Sequence, residues 1–158
     1  MTDMATIADR DTLTLVRRLP GPIERVWAYL TDPQLLVEWF SDGVVADRVG
    51  GEVRFEMGAT GRVTAFEPPR LLEYTWNELE HARGPIADTI VRWELCDEGD
   101  GVRLTLTHSR LPEPEVLTHG AGWHTFLERL VSRVNGREPE PIEKLYARLK
   151  LEYSQLAG

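Results

Sequence analysis

Between Gly51 and Arg110 the chain alternates apolar and polar residues in segment after segment. Val53, Phe55 and Met57 oppose Glu52, Arg54 and Glu56; "GRVTAFEPP" repeats the pattern more weakly and stops at Pro68-Pro69. Leu72, Tyr74 and Trp76 share a face, as do Val91, Trp93 and Leu95 before the turn at Asp97 to Gly101. Val102, Leu104, Leu106 and His108 then oppose Arg103, Thr105 and Thr107. Side chains of a strand point alternately to its two faces, so this pattern predicts antiparallel strands with one wet face and one covered face. Leu13 and Leu15, alternating with Thr12 and Thr14, add a strand near the start. A one-faced sheet requires a cover, and that requirement limits what the rest of the chain can be.

The cover is legible in "GAGWHTFLERLVSRVNG" (120–136). Trp123, Phe126, Leu127, Leu130, Val131 and Val134 recur at helical spacing, with Glu128, Arg129, Ser132 and Arg133 opposite, and Asn135-Gly136 is a stop signal. Two short helices are expected after the first strand. One starts at Pro22 and carries Ile23, Val26, Trp27 and Leu30; the other is capped by Asp32 ahead of Pro33 and carries Leu36, Trp39 and Phe40. After "REPEP" a last helix puts Ile142, Leu145, Tyr146, Leu149 and Tyr153 on one side, to pack on its own domain or on a second copy. The expectation is an α+β chain: a curved antiparallel sheet of about six or seven strands wrapped around a long C-terminal helix. Residues 1–10 are expected to be a flexible N-terminus, 11–158 one domain, and 139–157 an additional C-terminal helix.

Composition narrows the function. A chain of 158 residues that is 42% hydrophobic and 28% charged is long and apolar enough to bury a core. Its formal net charge of -8, without a basic cluster, speaks against nucleic acid and anionic membranes as partners. No segment approaches the ~18 apolar residues of a membrane span, and "MTDMATIADRDT" does not read as a secretory signal. The single cysteine, Cys96, has no partner for an internal disulfide, which fits a cytoplasmic location.

"RRLPGPIERVWAYLTDPQLLVEWF", "GRVTAFEPPRLLEYTW", "VRLTLTHSRL" and "GAGWHTFLERL", in that order, resemble the START-like helix-grip (SRPBCC) superfamily. More narrowly they resemble its bacterial branch related to the C-terminal domain of the activator of the heat-shock chaperone ATPase. The resemblance covers roughly residues 12–136. It implies a helix-grip fold with an apolar pocket between sheet and C-terminal helix. It also implies functions that differ among members: binding of lipid-like or polyketide-like molecules, cyclase, dehydratase or hydrolase chemistry, or chaperone interaction.

The residues favour binding. Phe55, Tyr74, Trp76, Trp93, His108, Trp123, Phe126, Leu127 and Leu130 are expected to line the pocket. Trp27 and Trp93 suit a core, whereas Trp76 and Trp123 lie near element ends where a cavity mouth belongs and suit pocket lining and plain packing equally. His108 shares the inward face with Leu104 and Leu106, either as a structural hydrogen-bond partner or as a polar contact for the guest. Glu52, Glu56, Glu73 and Glu94 fall on the wet side, which leaves His108 as the inward titratable group and the candidate general base for an enzymatic alternative. His124 is expected at the flank of its helix with its tip in water or on a backbone group, and His81 and His119 in loops. No metal-ligand spacing, nucleophile elbow or phosphate loop occurs, so no metal and no cofactor are expected. "NELEHARGPIAD" is long for a hairpin and is either a lid or a solvated loop. The expectation is a cytoplasmic monomer or homodimer that binds a small hydrophobic molecule. The alternatives are an enzyme using His108 and a chaperone-ATPase-activator-like interaction module.

Overall fold

The computed structural model describes residues 3–157. Eight antiparallel strands form one sheet: β1 (Thr6–Ala8), β2 (Thr12–Pro20), β3 (Gly43–Val45), β4 (Glu52–Phe55), β5 (Thr60–Glu67), β6 (Leu71–Glu78), β7 (Ile86–Glu98) and β8 (Gly101–Ser109). Their spatial order is β1-β2-β8-β7-β6-β5-β4-β3, so β3 to β8 is a meander that closes on β2. The strand count exceeds the six or seven expected by the edge pieces β1 and β3, three residues each and too short to display alternation. Of the N-terminal segment expected to be flexible, Met1 and Thr2 lie outside the described residues, while Thr6–Ala8 pair with Thr12–Thr14. The intervening turn puts both Asp9 (φ 53°) and Arg10 (φ 63°) in the left-handed region, as a tight hairpin requires.

Helices α1 (Ile23–Thr31) and α2 (Pro33–Trp39) follow β2. Asp32 caps α2, its Oδ1 accepting the Gln34 amide at 2.9 Å. The long helix α3 runs Val116–Val134, four residues longer at its start than the sequence pattern suggests, so Gly120 and Gly122 lie inside it. Each glycine answers to a different neighbour. A Cβ on Gly120 would sit 3.0 Å from Tyr153 Cε1, whereas a Cβ on Gly122 would have no atom within 4 Å.

The sheet's inner face meets α3 through Leu13, Leu15, Leu19, Leu72, Val91, Leu104 and Leu106, all essentially solvent-free. Helix α4 (Ile142–Ser154) packs on the other side of α3, burying Leu145, Leu149 and Tyr153 against Ala121. Its apolar side is therefore spent within the chain. That packing also corrects the expected place of His124, which is fully buried. Its Nδ1 lies 2.9 Å from the Tyr153 hydroxyl and its Nε2 3.3 Å from Glu128 Oε1. A flank position on α3 becomes interior once a second helix covers it. Among the described residues no helix is long and apolar enough to cross a membrane.

Candidate functional site

Five aromatic residues from four segments meet where β4, β6 and α3 converge. Phe40, just after α2, stacks on Trp123 (centroids 5.4 Å, 20°) and receives Phe126 edge-on at 4.7 Å. Trp76 lies 5.2 Å from Trp123 and 5.8 Å from Phe55. Most of the space expected between sheet and helix is thus filled by the protein's own rings. What remains is a recess of about 70 Å³ lined by Phe40, Met57, Trp76, Glu78, His119, Gly122, Trp123 and Phe126. It adjoins a wider depression of about 340 Å³ between the β4–β5 turn and the end of β6, and Met57 and Glu78 belong to both.

Of the nine residues expected to line a pocket, Trp76, Trp123 and Phe126 do so. Phe55, Tyr74, Trp93, Leu127 and Leu130 lie deeper in the core. There the Trp93 indole donates to the Tyr74 hydroxyl at 3.0 Å, and burial pushes the Tyr74 phenol up. His108 points inward but stands behind the wall. Trp123 Nε1–H donates to its Nδ1 at 2.9 Å, which fixes the proton on Nε2. That proton goes to Thr89 Oγ1 at 2.8 Å, and Thr89 donates in turn to the Trp76 carbonyl at 2.7 Å. Burial, aided by the charge of His119, holds the His108 pKa well below the usual imidazole range. A neutral ring with both nitrogens engaged has no lone pair to offer a guest.

The polar groups at the recess are others. Glu78 shares the inward side of β6 with Trp76, two residues earlier, at a point where the register against β7 slips. Its Oε2 accepts Trp76 Nε1–H and His119 Nε2–H, both at 2.7 Å. His119 lies one turn before Trp123 on α3, not in a loop, and its Nδ1–H donates to the Glu115 carbonyl at 2.9 Å. Burial works against a proton on His119, but the hydrogen bond and charge of Glu78 outweigh it and raise its pKa. For Glu78 burial raises the pKa, and the bonds from His119 and Trp76 overcome that and lower it. Each nitrogen of His119 faces an oxygen acceptor, the arrangement that suits an imidazolium beside a carboxylate in the wall.

The segment between β6 and β7 is fastened down beside them. Arg83 grips the buried Glu115 with two bonds of 2.7 and 2.8 Å, and that grip lowers the Glu115 pKa. His81 Nδ1 accepts the Arg83 amide at 3.2 Å, and its Nε2 reaches Glu115 Oε1 at 3.2 Å. The titratable inward set is accordingly larger than His108 alone. It includes Glu78 and, on β2, Arg17, which is 4% exposed and lies on the same face as Leu13, Leu15 and Leu19. Among the described residues no group of three or more His, Cys, Asp or Glu side chains could hold a metal ion.

A curved antiparallel sheet closed over a long helix, with a small aromatic recess at their junction, defines a helix-grip domain. The family model described as "Activator of Hsp90 ATPase homolog 1-like protein" matches residues 20–135, and the chain belongs to that family. It is similar to CalU16 from Micromonospora echinospora, at 27% identity and TM-score 0.77, over 92% of this chain and 87% of that one. A Bordetella parapertussis protein is similar at 29% identity and TM-score 0.76, over 95% and 88% of the two chains. An HSP90 activator from Plasmodium falciparum, at 20% identity and TM-score 0.57 over 65% and 74%, shares the fold. No curated protein sequence matches this chain.

Proposed function

We propose that this domain binds a small amphipathic molecule: an apolar ring seated against Gly122, with a hydroxyl or N–H group turned to Glu78. The observation that carries this reading is Gly122 itself. A glycine inside a helix costs about 1 kcal/mol relative to alanine. Gly120 is required by the approach of Tyr153, but nothing approaches Gly122, and the space its missing side chain leaves is the recess. Aromatic walls with one anchored polar pair suit such a ligand. Glu78 Oε2 is saturated by Trp76 and His119, so Oε1 is the acceptor left for a guest.

The dimensions restrict the guest. An apolar cavity of roughly 150 Å³ takes benzene, and drug-sized ligands need roughly 300–1,000 Å³. At about 70 Å³ the recess suits part of one ring, and a whole ring enters only with movement of the rim. Met57, 49% exposed and unbranched, is the rim residue free to move. A lipid- or polyketide-sized guest requires displacement of Phe40, Trp123 and Phe126 as well. The test is a titration with 4-ethylphenol followed by the indole N–H signals of the five tryptophans. Selective shifts at Trp76 and Trp123 are expected, and unperturbed signals at millimolar ligand defeat the proposal.

A second reading rests on the family and on the shared fold of the Plasmodium HSP90 activator: an interaction module acting on the Hsp90 ATPase. Its test is stimulation of that ATPase by the purified chain. The enzymatic alternative depended on His108 as a base, and the engagement of both its nitrogens leaves that reading without support.

A further inference from the structure

The two ring protons of His119 have separate jobs. Nδ1–H satisfies the Glu115 carbonyl at 2.9 Å, and Nε2–H satisfies Glu78 Oε2 at 2.7 Å. Neither acceptor can act as a donor when Glu78 is ionised, so both bonds require the doubly protonated ring. His81 differs: its Nδ1 accepts a backbone amide, so the neutral Nε2–H form satisfies its contact with Glu115. His108 is likewise complete as a neutral ring. Of the three histidines gathered here, with the His81 and His108 rings 6.1 and 5.7 Å from that of His119, only His119 needs a charge.

We propose that protonated His119 is a latch on the mouth of the recess, holding Glu78 and through it the Trp76 indole in the closed position. Loss of the proton leaves a lone pair on one nitrogen. Facing Glu78 Oε2 at 2.7 Å, that lone pair repels the carboxylate; facing the Glu115 carbonyl, it repels an oxygen that still accepts the Thr118 hydroxyl at 3.1 Å. The two ends of the latch are not equally strong. Glu115 is 5% exposed and clamped by Arg83 through two bonds. Glu78 lies at the end of β6, where the β6–β7 ladder is already irregular, and it borders the open depression shared with Glu56 and Glu80. The carboxylate of Glu78 is the end that lets go. Trp76 Nε1–H then loses its acceptor, and the indole that forms one wall of the recess loses the bond that fixes its N–H edge.

The charged and titratable groups facing His119 from the elements around it are Glu78 on β6, His81 and Arg83 in the β6–β7 connection, Glu115 ahead of α3, and His108 on β8. Arg83 and His81 both face the Glu115 carboxylate, and His108 is engaged at both nitrogens, so Glu78 is the counter-charge that responds. The latch regulates the binding site proposed above and rests on that reading for its purpose, though not for its mechanics.

Its test needs no guest. The full chain is labelled with 5-fluorotryptophan, and the Trp76 signal is assigned by loss in Trp76→Phe. The His119 midpoint is followed separately by ¹³C-histidine NMR. The Trp76 fluorine signal is expected to move with the His119 midpoint, above pH 6.5, and to acquire a solvent isotope shift on the alkaline side. Glu78→Gln removes the counter-charge, so both midpoints are expected to fall together. In His119→Gln the Trp76 signal is expected at the alkaline position throughout. A Trp76 signal indifferent to the His119 titration, or one that keeps the wild-type midpoint in Glu78→Gln, overturns the latch. Addition of 4-ethylphenol on either side of the midpoint then separates the two proposals: a working latch with no ligand-induced shift leaves the latch standing and removes the ligand.

Discussion

Trp123 and His108 are joined by a buried hydrogen bond of 2.9 Å in which the indole donates and the imidazole accepts. The bond places a histidine that the sequence nominates as a general base behind a tryptophan that lines the recess. It also makes His108 a positioning residue for both recess tryptophans, since Thr89 carries the chain on to the Trp76 carbonyl. His108→Phe keeps most of the volume but strands the Trp123 N–H and is expected to cost about 1–3 kcal/mol. His108→Ala adds a cavity, for a total of about 3–5 kcal/mol. His108→Gln, with an amide acceptor and donor, is expected to be the mildest of the three. Urea unfolding ranks them, and equal losses for Phe and Gln would show that volume alone matters.

The pH dependence of stability follows from two histidines pulling in opposite directions. His119 has a raised pKa in the folded state, so its contribution is complete below the unfolded value of about 6.5 and is lost as pH rises through the folded value. His108 has a lowered one, so it costs nothing above about 6.5, and its burdensome neutrality is felt as pH falls below that. Each arm is limited to about 1.4 kcal/mol per pH unit, the slope for one proton. His119→Gln is expected to flatten the alkaline arm and leave the acid arm in place. Unfolding free energies between pH 5 and 9 read both, and an alkaline arm that survives in His119→Gln belongs to another group.

How far the sequence can be read is clear from where its patterns stop. Alternation exposes β2 and β4 to β8, and helical spacing exposes the stripe of α3. Continuing two of those patterns by one more period reaches inward groups that the alternating apolar residues alone do not reveal: Leu13, Leu15 and then Arg17 on β2, and Tyr74, Trp76 and then Glu78 on β6. His119 is hidden for another reason. Two glycines in three residues look like a helix boundary, whereas one admits Tyr153 and the other borders the recess. The turn Asp9-Arg10 lacks the glycine that usually marks its geometry, so β1 leaves no signal. The filling of the interior by Phe40, Phe55, Trp76 and Trp123 is not legible at all, because it depends on rings from distant segments meeting at 5–6 Å.

The same substitution at Gly120 and Gly122 is expected to have opposite signs. Gly122→Ala adds helix propensity without a clash and is expected to stabilise the chain by up to about 1 kcal/mol. Gly120→Ala gains the same propensity but drives a methyl into the Tyr153 ring, which its own hydrogen bonds hold in place; a net loss of about 1–2 kcal/mol is expected. Gly122→Leu carries the first change further by filling the recess. It is expected to retain the wild-type melting temperature within a few degrees and to abolish the 4-ethylphenol response at Trp76. A folded Gly122→Leu chain that still shows that response places the ligand elsewhere.

Tyr153 ties three parts of the chain at one oxygen: it accepts the Ala5 amide at 2.7 Å, lies 2.9 Å from His124 Nδ1, and sits on α4. The hydroxyl thus meets the Ala5 amide and the His124 ring together, and the other imidazole nitrogen faces Glu128. The short strand β1 begins directly after Ala5 and has β2 as its single neighbour in the sheet. An edge strand of three residues has little hold of its own. Its order is therefore expected to depend on the anchor one residue before it. Tyr153→Phe keeps the ring against Gly120 but removes the oxygen, leaving the half-buried Ala5 amide and the His124 ring without that partner, at a cost of about 1–3 kcal/mol. Hydrogen exchange resolves the consequence by position. Amides of Thr6–Ala8 are expected to lose protection well beyond the global loss, while those in β7 and β8 change only with overall stability. Uniform acceleration across the sheet would mean that Tyr153 supports the fold as a whole and does not fasten this edge.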